Sequence, residues 1–157
     1  MMNAEFTLTL LALLAATLLW IAVVDVKTRT ISNWVNLAIA LAAPVYWLSA
    51  GVPLLPDAGF RVAAGVAVFL LFAVAFYLNA MGGGDVKLAG ALALWFPIPE
   101  TVKLIVVTSL AGGVLTLIVA GLHKARKKEG RPEVPYGVAI AFGGLWLLAQ
   151  RFLNHFA

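Results

Sequence analysis

Apolar residues in this chain run in unbroken blocks, separated by short polar stretches, rather than alternating or keeping to one helical stripe. Six blocks stand out: Phe6–Val24, Trp34–Leu48, Phe60–Leu78, Val86–Phe96, Thr101–Leu122 and Gly137–Leu153. A helix that is apolar on every side is either enclosed by protein or solvated by lipid. About 20 such residues cross the hydrocarbon of a bilayer. The pattern therefore predicts an all-α polytopic membrane protein, a bundle of about six transmembrane helices, with residues 1–157 as a single transmembrane domain. The second block is short. The fourth is stopped by Pro97 and Pro99, and at about 1.5 Å per residue it covers little more than half the hydrocarbon. It is expected to lean, or to continue through Pro97 with a kink.

Composition agrees with lipid as the solvent. The chain is 63% hydrophobic and 11% charged, against roughly 25% charged in ordinary globular chains. A net charge of +4 would suggest nucleic acid in a soluble protein. Here the basic residues fall in connectors, where they set orientation, so no nucleic-acid partner is expected and membrane lipids are. Cysteine is absent, which excludes disulfides, thiolate metal sites and cysteine nucleophiles. No Lys or Arg precedes Lys27, and the first apolar block is longer than a signal-peptide core, so it is expected to be a retained membrane helix.

The connectors Asp25–Asn33, Asn79–Lys87 and His123–Tyr136 fall on one side of the bundle, while Ala50–Gly59, with Pro53 and Pro56, reads as a turn on the other. The first side then holds eight of the eleven Lys and Arg, leaving Arg61, Lys103 and Arg151. By the positive-inside rule that side is the cytoplasm, and both termini face outward. Trp47 and Trp95 then fall near the outer interface and Trp34 near the inner one, as an aromatic belt would. His123 and His155 are expected on opposite sides, so they cannot share a metal. Gly112-Gly113 and Gly143-Gly144 read as packing sites.

Two carboxylates stand out against this background. Asp25 ends the first apolar block and Asp85 opens the fourth, each within the triplet Asp-Val-Lys. In the expected topology both lie at the cytoplasmic ends of their helices. Charge near hydrocarbon is costly, and two acids brought together repel, so such a pair shares one proton. A pair of that kind suits aspartyl hydrolysis: one carboxylate takes a proton from water and its partner gives one to the peptide carbonyl. It titrates as a unit. Gly82, Gly83 and Gly84 permit φ > 0 and close approach of a substrate backbone. Spacing alone favours the plainer reading, a helix cap at Asp85 and a polar helix-end residue at Asp25. Lys27 and Lys87 read as headgroup contacts, substrate-carboxylate contacts or orientation charges. Asn79, just before the glycines, is a candidate to satisfy backbone groups in that hinge.

Gly-x-Gly-Asp opening a membrane helix, with a second Asp ending an earlier one, resembles the GxGD intramembrane aspartyl proteases. VDVKTRTISN (Val24–Asn33) looks like the first aspartate motif of the prepilin peptidases, GGGDVKL (Gly82–Leu88) like their second, and VPYGVAIAFG (Val134–Gly143) like their C-terminal Pro-x-Gly motif. The three together span almost the entire chain. The resemblance is closest to the small form serving tight-adherence (Flp) pili, which lacks the four-cysteine region and the methyltransferase activity of the long form. Ser32 stands where the family usually has Pro, and it can cap the second helix in its place.

The resemblance implies a single transmembrane peptidase domain with Asp25 and Asp85 catalytic, supported by Gly82, Gly84, Lys87, Asn33, Pro135 and Gly137, and with no cofactor or metal. The implied substrate is a prepilin, a basic leader followed by a hydrophobic helix, cut at the cytoplasmic face of the inner membrane. That helix could pack beside Ala89, Gly90 and Ala91, where backbones approach closely. Two alternatives are a small transporter or channel, suggested by the repeated Asp-Val-Lys and a broken helix, and a preflagellin-type peptidase of the same family. A catalytically inactive assembly scaffold is a further rival.

Overall fold

A computed structural model describes residues 4–126, 130 and 133–156, excluding the side chains of residues 155 and 156. Each expected block is a helix: α1 (Ala4–Thr28), α2 (Asn33–Ser49), α3 (Gly59–Tyr77), α4 (Gly83–Ala93), α5 (Ile98–Ala125) and α6 (Tyr136–Phe156). An irregular turn, Leu54–Ala58, in which Leu55 is extended (φ −132, ψ 134), leads into α3. Four segments are long and apolar enough to cross a membrane: α1, Leu54–Tyr77, α5 and α6. The other two are shorter, α2 with 17 residues and α4 with 11.

The ends differ from expectation in ways that matter. α1 runs four residues past Val24, so Asp25 lies in its last turn rather than in the connector. The helix stops where Arg29 turns to φ +55 and its N–H closes on the Asp25 carbonyl at 3.0 Å. α4 begins at Gly83 and ends at Ala93. It does not continue through Pro97; that residue instead caps α5, whose first turn holds Pro99, where a missing N–H costs nothing.

Odd helices end, and even helices begin, at the same end of the bundle. Lys27, Arg29, Lys87, Lys124 and Arg126 cluster there, while Arg61, Lys103 and Arg151 lie toward the other end. Lys127, Lys128 and Arg131, counted above with the first group, lie outside the described residues. Exposed leucines, valines and phenylalanines cover the outer faces of α1, α3 and α5, among them Leu13, Leu70 and Leu117, as lipid solvation requires.

α4 is the interior helix. It packs on α2, α3 and α6, and eight of its 11 residues are buried. α3 reaches it through glycines: a Cβ on Gly65 would lie 3.2 Å from the Gly90 carbonyl, and one on Gly90 3.0 Å from Phe69 Cβ. The expected packing roles of Gly143 and Gly144 hold in the same way, since added Cβ atoms would meet Thr108 Oγ1 at 2.6 Å and Leu18 and Leu92 at 2.8 Å. Gly113 has open space around it.

Eleven residues rise about 16 Å, so α4 ends inside the apolar layer with carbonyls that no further turn satisfies. Side chains take their place. Trp47 Nε1 donates to the Leu94 carbonyl at 2.9 Å, and the Arg61 guanidinium to the Trp95 carbonyl at 2.8 Å. Trp95 Nε1 in turn donates to the Ile39 carbonyl of α2 at 3.0 Å. Trp47 and Trp95 are therefore not belt residues, as their positions had suggested. They are 7% and 2% exposed and hold the end of α4, whereas Trp34 is 79% exposed. Trp47→Phe leaves a buried carbonyl without a donor, a loss of about 1–3 kcal/mol. Thermal unfolding in detergent is expected to shift down by about 2–4 °C for each kcal/mol, with Trp34→Phe unchanged.

Candidate active site

A buried carboxylate needs donors, and the helix ends supply them. Asp25, 3% exposed, projects from the last turn of α1 toward the first turn of α6. The N–H groups of a first turn have no partner within their own helix and favour a negative charge. Val138 N–H donates to Asp25 Oδ2 at 3.2 Å while staying 3.1 Å from the Pro135 carbonyl. Pro135 is buried and precedes α6 directly, so it sets where those free amides begin.

Asp85, 8% exposed, is the third residue of α4, with Gly82 as the N-cap. It is not itself the cap. Its Oδ2 reaches back to accept the Gly82 N–H at 3.2 Å, the acidic half of a capping box. Asp25 lies beside Gly137, where an added Cβ would meet its Oδ2 at 2.8 Å, and Asp85 sits in the first turn of α4, which packs on α6. Residues 60 positions apart in sequence thus lie at neighbouring helix ends, Asp25 held by α6 and Asp85 at the start of α4.

Ile31, in the α1–α2 connector, fits between the starts of α4 and α6. A Cβ on Gly84 would lie 3.2 Å from both the Ile31 Cβ and the Ile31 carbonyl oxygen. One on Gly137 would lie 2.7 Å from Ile31 Cδ1 and 2.8 Å from Asp25 Oδ2. The glycines of this site therefore serve close approach, not unusual torsion. Gly82 has φ −75, and positive φ near the site belongs to Arg29 and Asn79 at +55 each. Asn79 ends α3 in the left-handed conformation, as a residue past a helix C-terminus often does.

Lys87 Nζ donates to Asn33 Oδ1 at 2.8 Å, tying the first turns of α4 and α2 together at the exposed rim. Asn36, one turn further along α2 and 3% exposed, donates through Nδ2 to the Gly84 carbonyl at 2.9 Å. Its Oδ1 is buried and has no partner. Ser32 does occupy the N-cap of α2, but its side chain makes no capping bond. Ala89, Gly90 and Ala91 have little exposed surface and Phe69 packs close to Gly90, but Gly90 and Ala91 do reach the floor of a groove between α2 and α3. No group of three His, Cys, Asp or Glu suited to a metal occurs among the described residues. His123 Nε2 lies 3.0 Å from the Gly130 carbonyl, away from the acids.

Asp25, Asp85, Gly82, Gly84, Pro135 and Gly137 are thus brought together, with Asn33 and Lys87 on the adjoining rim. Sequence reading missed Ile31, Asn36 and the Val138 amide. For Asn36 the one available signal was an amide in the first turn of an apolar block. For Ile31 there was none beyond its place after Asp25.

Known proteins supply an independent comparison. The sequence model of the type IV leader peptidase family matches residues 12–117, a span that includes both aspartates and stops before α6. A prepilin leader peptidase/N-methyltransferase from Pectobacterium carotovorum subsp. carotovorum is 30% identical over 169 residues, covering 94% of this chain. The chain spans 60% of the length of that relative. No solved structure matches it.

Proposed function

Because the chain belongs to the type IV leader peptidase family, we propose that it is a membrane-embedded aspartic endopeptidase that removes the leader of prepilin-like substrates. The observation that carries this reading is that Ile31 touches both Gly84, which precedes Asp85, and Gly137, which lies against Asp25, so the two acids meet at one end of the bundle. The dyad holds a water between its carboxyls. The ionised member takes a proton from that water as its oxygen bonds to the scissile carbonyl carbon. The protonated member gives its proton to the carbonyl oxygen. Collapse of the tetrahedral adduct breaks the C–N bond; the leaving nitrogen takes the proton first removed from water, and one hydroxyl of the adduct returns its proton to the other aspartate as the product carboxyl forms. The amides of Val138 and Gly82 keep Asp25 and Asp85 in place through this exchange.

The whole chain acts as one transmembrane peptidase domain. Basic residues beside the acids support a cytoplasmic location for the site and outward-facing termini in the inner membrane. A transporter reading is disfavoured because both acids lie at one end of their helices, not at mid-depth, where transporters bind their cargo. A preflagellin-type substrate would meet the same chemistry.

Cleavage is tested with the purified protein in liposomes together with a full-length prepilin. Mass spectrometry is expected to find the leader and the mature chain as two products. An intact prepilin, in liposomes where a known leader peptidase cuts it, would refute the proposal; ion flux without cleavage would favour the transporter.

A further inference from the structure

Between α2 and α3, which hardly touch, a groove of about 810 Å³ runs along α4. Leu37 and Pro44 line one wall, Val66 and Phe69 the other, and Gly90 lies in the floor. Leu37 and Val66 are 46% and 52% exposed. The groove is apolar for most of its length and changes character at one end. There it is lined by Asn36 and by the bonded pair Lys87 and Asn33, next to the Gly84 carbonyl that precedes Asp85.

We propose that this groove seats the hydrophobic helix of the substrate, with the first turn of that helix against Asn36. The inference rests on the peptidase reading and deepens it. Any apolar segment of lipid could fill the outer part. The inner end asks for more. Asn36 Nδ2 is committed to the Gly84 carbonyl, which fixes the orientation of the amide and leaves Oδ1 as a buried acceptor without a donor. An acyl chain has no donor to offer. The first turn of a helix has up to four free N–H groups, and backbone unwound for cleavage has more. Oδ1 is covered; a small shift of the side chains over it lets an unsatisfied acceptor and unsatisfied donors meet inside the apolar layer, where both are otherwise costly. An occupant whose helix begins at Asn36 has the peptide bonds just before it level with Asp85.

A competing entrance lies between α3 and α5, a cavity of about 560 Å³ lined by Ser109, Gly113, Met81 and Tyr136. Site-specific photocrosslinkers separate the two. Placed at Leu37, Val66 or Ser109 in the Asp85→Asn protein with the prepilin of the cleavage assay, they are expected to capture substrate at Leu37 and Val66 and not at Ser109. In the active protein, Val66→Trp and Leu37→Trp are each expected to raise KM about tenfold, the equivalent of 1.4 kcal/mol of binding, with kcat within about twofold. Both positions face lipid, so either variant suffices if the other fails to fold. Capture at Ser109 with unchanged KM in the tryptophan variants overturns the groove while leaving the peptidase intact. Capture at Val66 by a protein that never cleaves overturns the peptidase and leaves the groove standing.

Discussion

Asp25→Asn and Asp85→Asn are each expected to lower prepilin cleavage by at least about 10³-fold, since the two carboxyls divide the general-base and general-acid work and neither acts without the other, each step typically 10²–10⁴-fold. The expectation is sharp because asparagine keeps the shape and an acceptor oxygen. Val138 N–H can still find Oδ1 at position 25, and Gly82 N–H can find it at position 85. Thermal unfolding should therefore stay near that of the wild type while activity disappears. The double variant should be no worse than either single one, because two groups acting as a unit are lost together. Full cleavage by either single variant would exclude the dyad. Pilus assembly supported by both would indicate a scaffold that needs no chemistry.

The second large effect is at Gly137. An alanine methyl there would lie 2.8 Å from Asp25 Oδ2 and 3.0 Å from its Cγ. The Ile31 methyl on its other side can swing away; the carboxyl, held by the Val138 amide, must move. Displacement of a reacting group by about 1 Å costs on the order of 10²-fold in rate, so Gly137→Ala is expected to lose about that much. Its stability should fall much less, by about 1–3 kcal/mol, the usual cost of one methyl too many at a closely packed site. Parallel assays of cleavage and unfolding check the split. A Gly137→Ala protein as active as wild type would mean that Asp25 does not work from the position described here.

The six helices were legible because a bilayer imposes one rule on every spanning segment, and the apolar blocks of this chain obey it without interruption. The two acids were legible for the converse reason: a carboxylate at the edge of such a block is conspicuous. What brings the acids together was not. Gly137, Val138 and Ile31 act through backbone amides and close approach, neither of which leaves a periodicity. Trp47 and Trp95 were misplaced because a tryptophan near the end of an apolar block looks alike whether it faces headgroups or bonds to an interior carbonyl. The glycine triplet was expected to supply positive torsions and close approach of a substrate backbone; the close approach seen is that of Ile31, which needs the missing side chain at Gly84. Asn36 was overlooked since its importance depends on a partner 48 residues away.

The clamp that Trp47 and Arg61 place on the far end of α4 has a geometric consequence. The helix is suspended from the opposite leaflet, and the height and heading of Asp85 are measured downward from that fixing point. One residue added within Val86–Ala93 would lower the acid by about 1.5 Å and swing it about 100° around the axis. A residue added before Gly82 would be taken up by the turn after α3. Length changes should thus be forbidden on one side of the second aspartate and absorbed on the other.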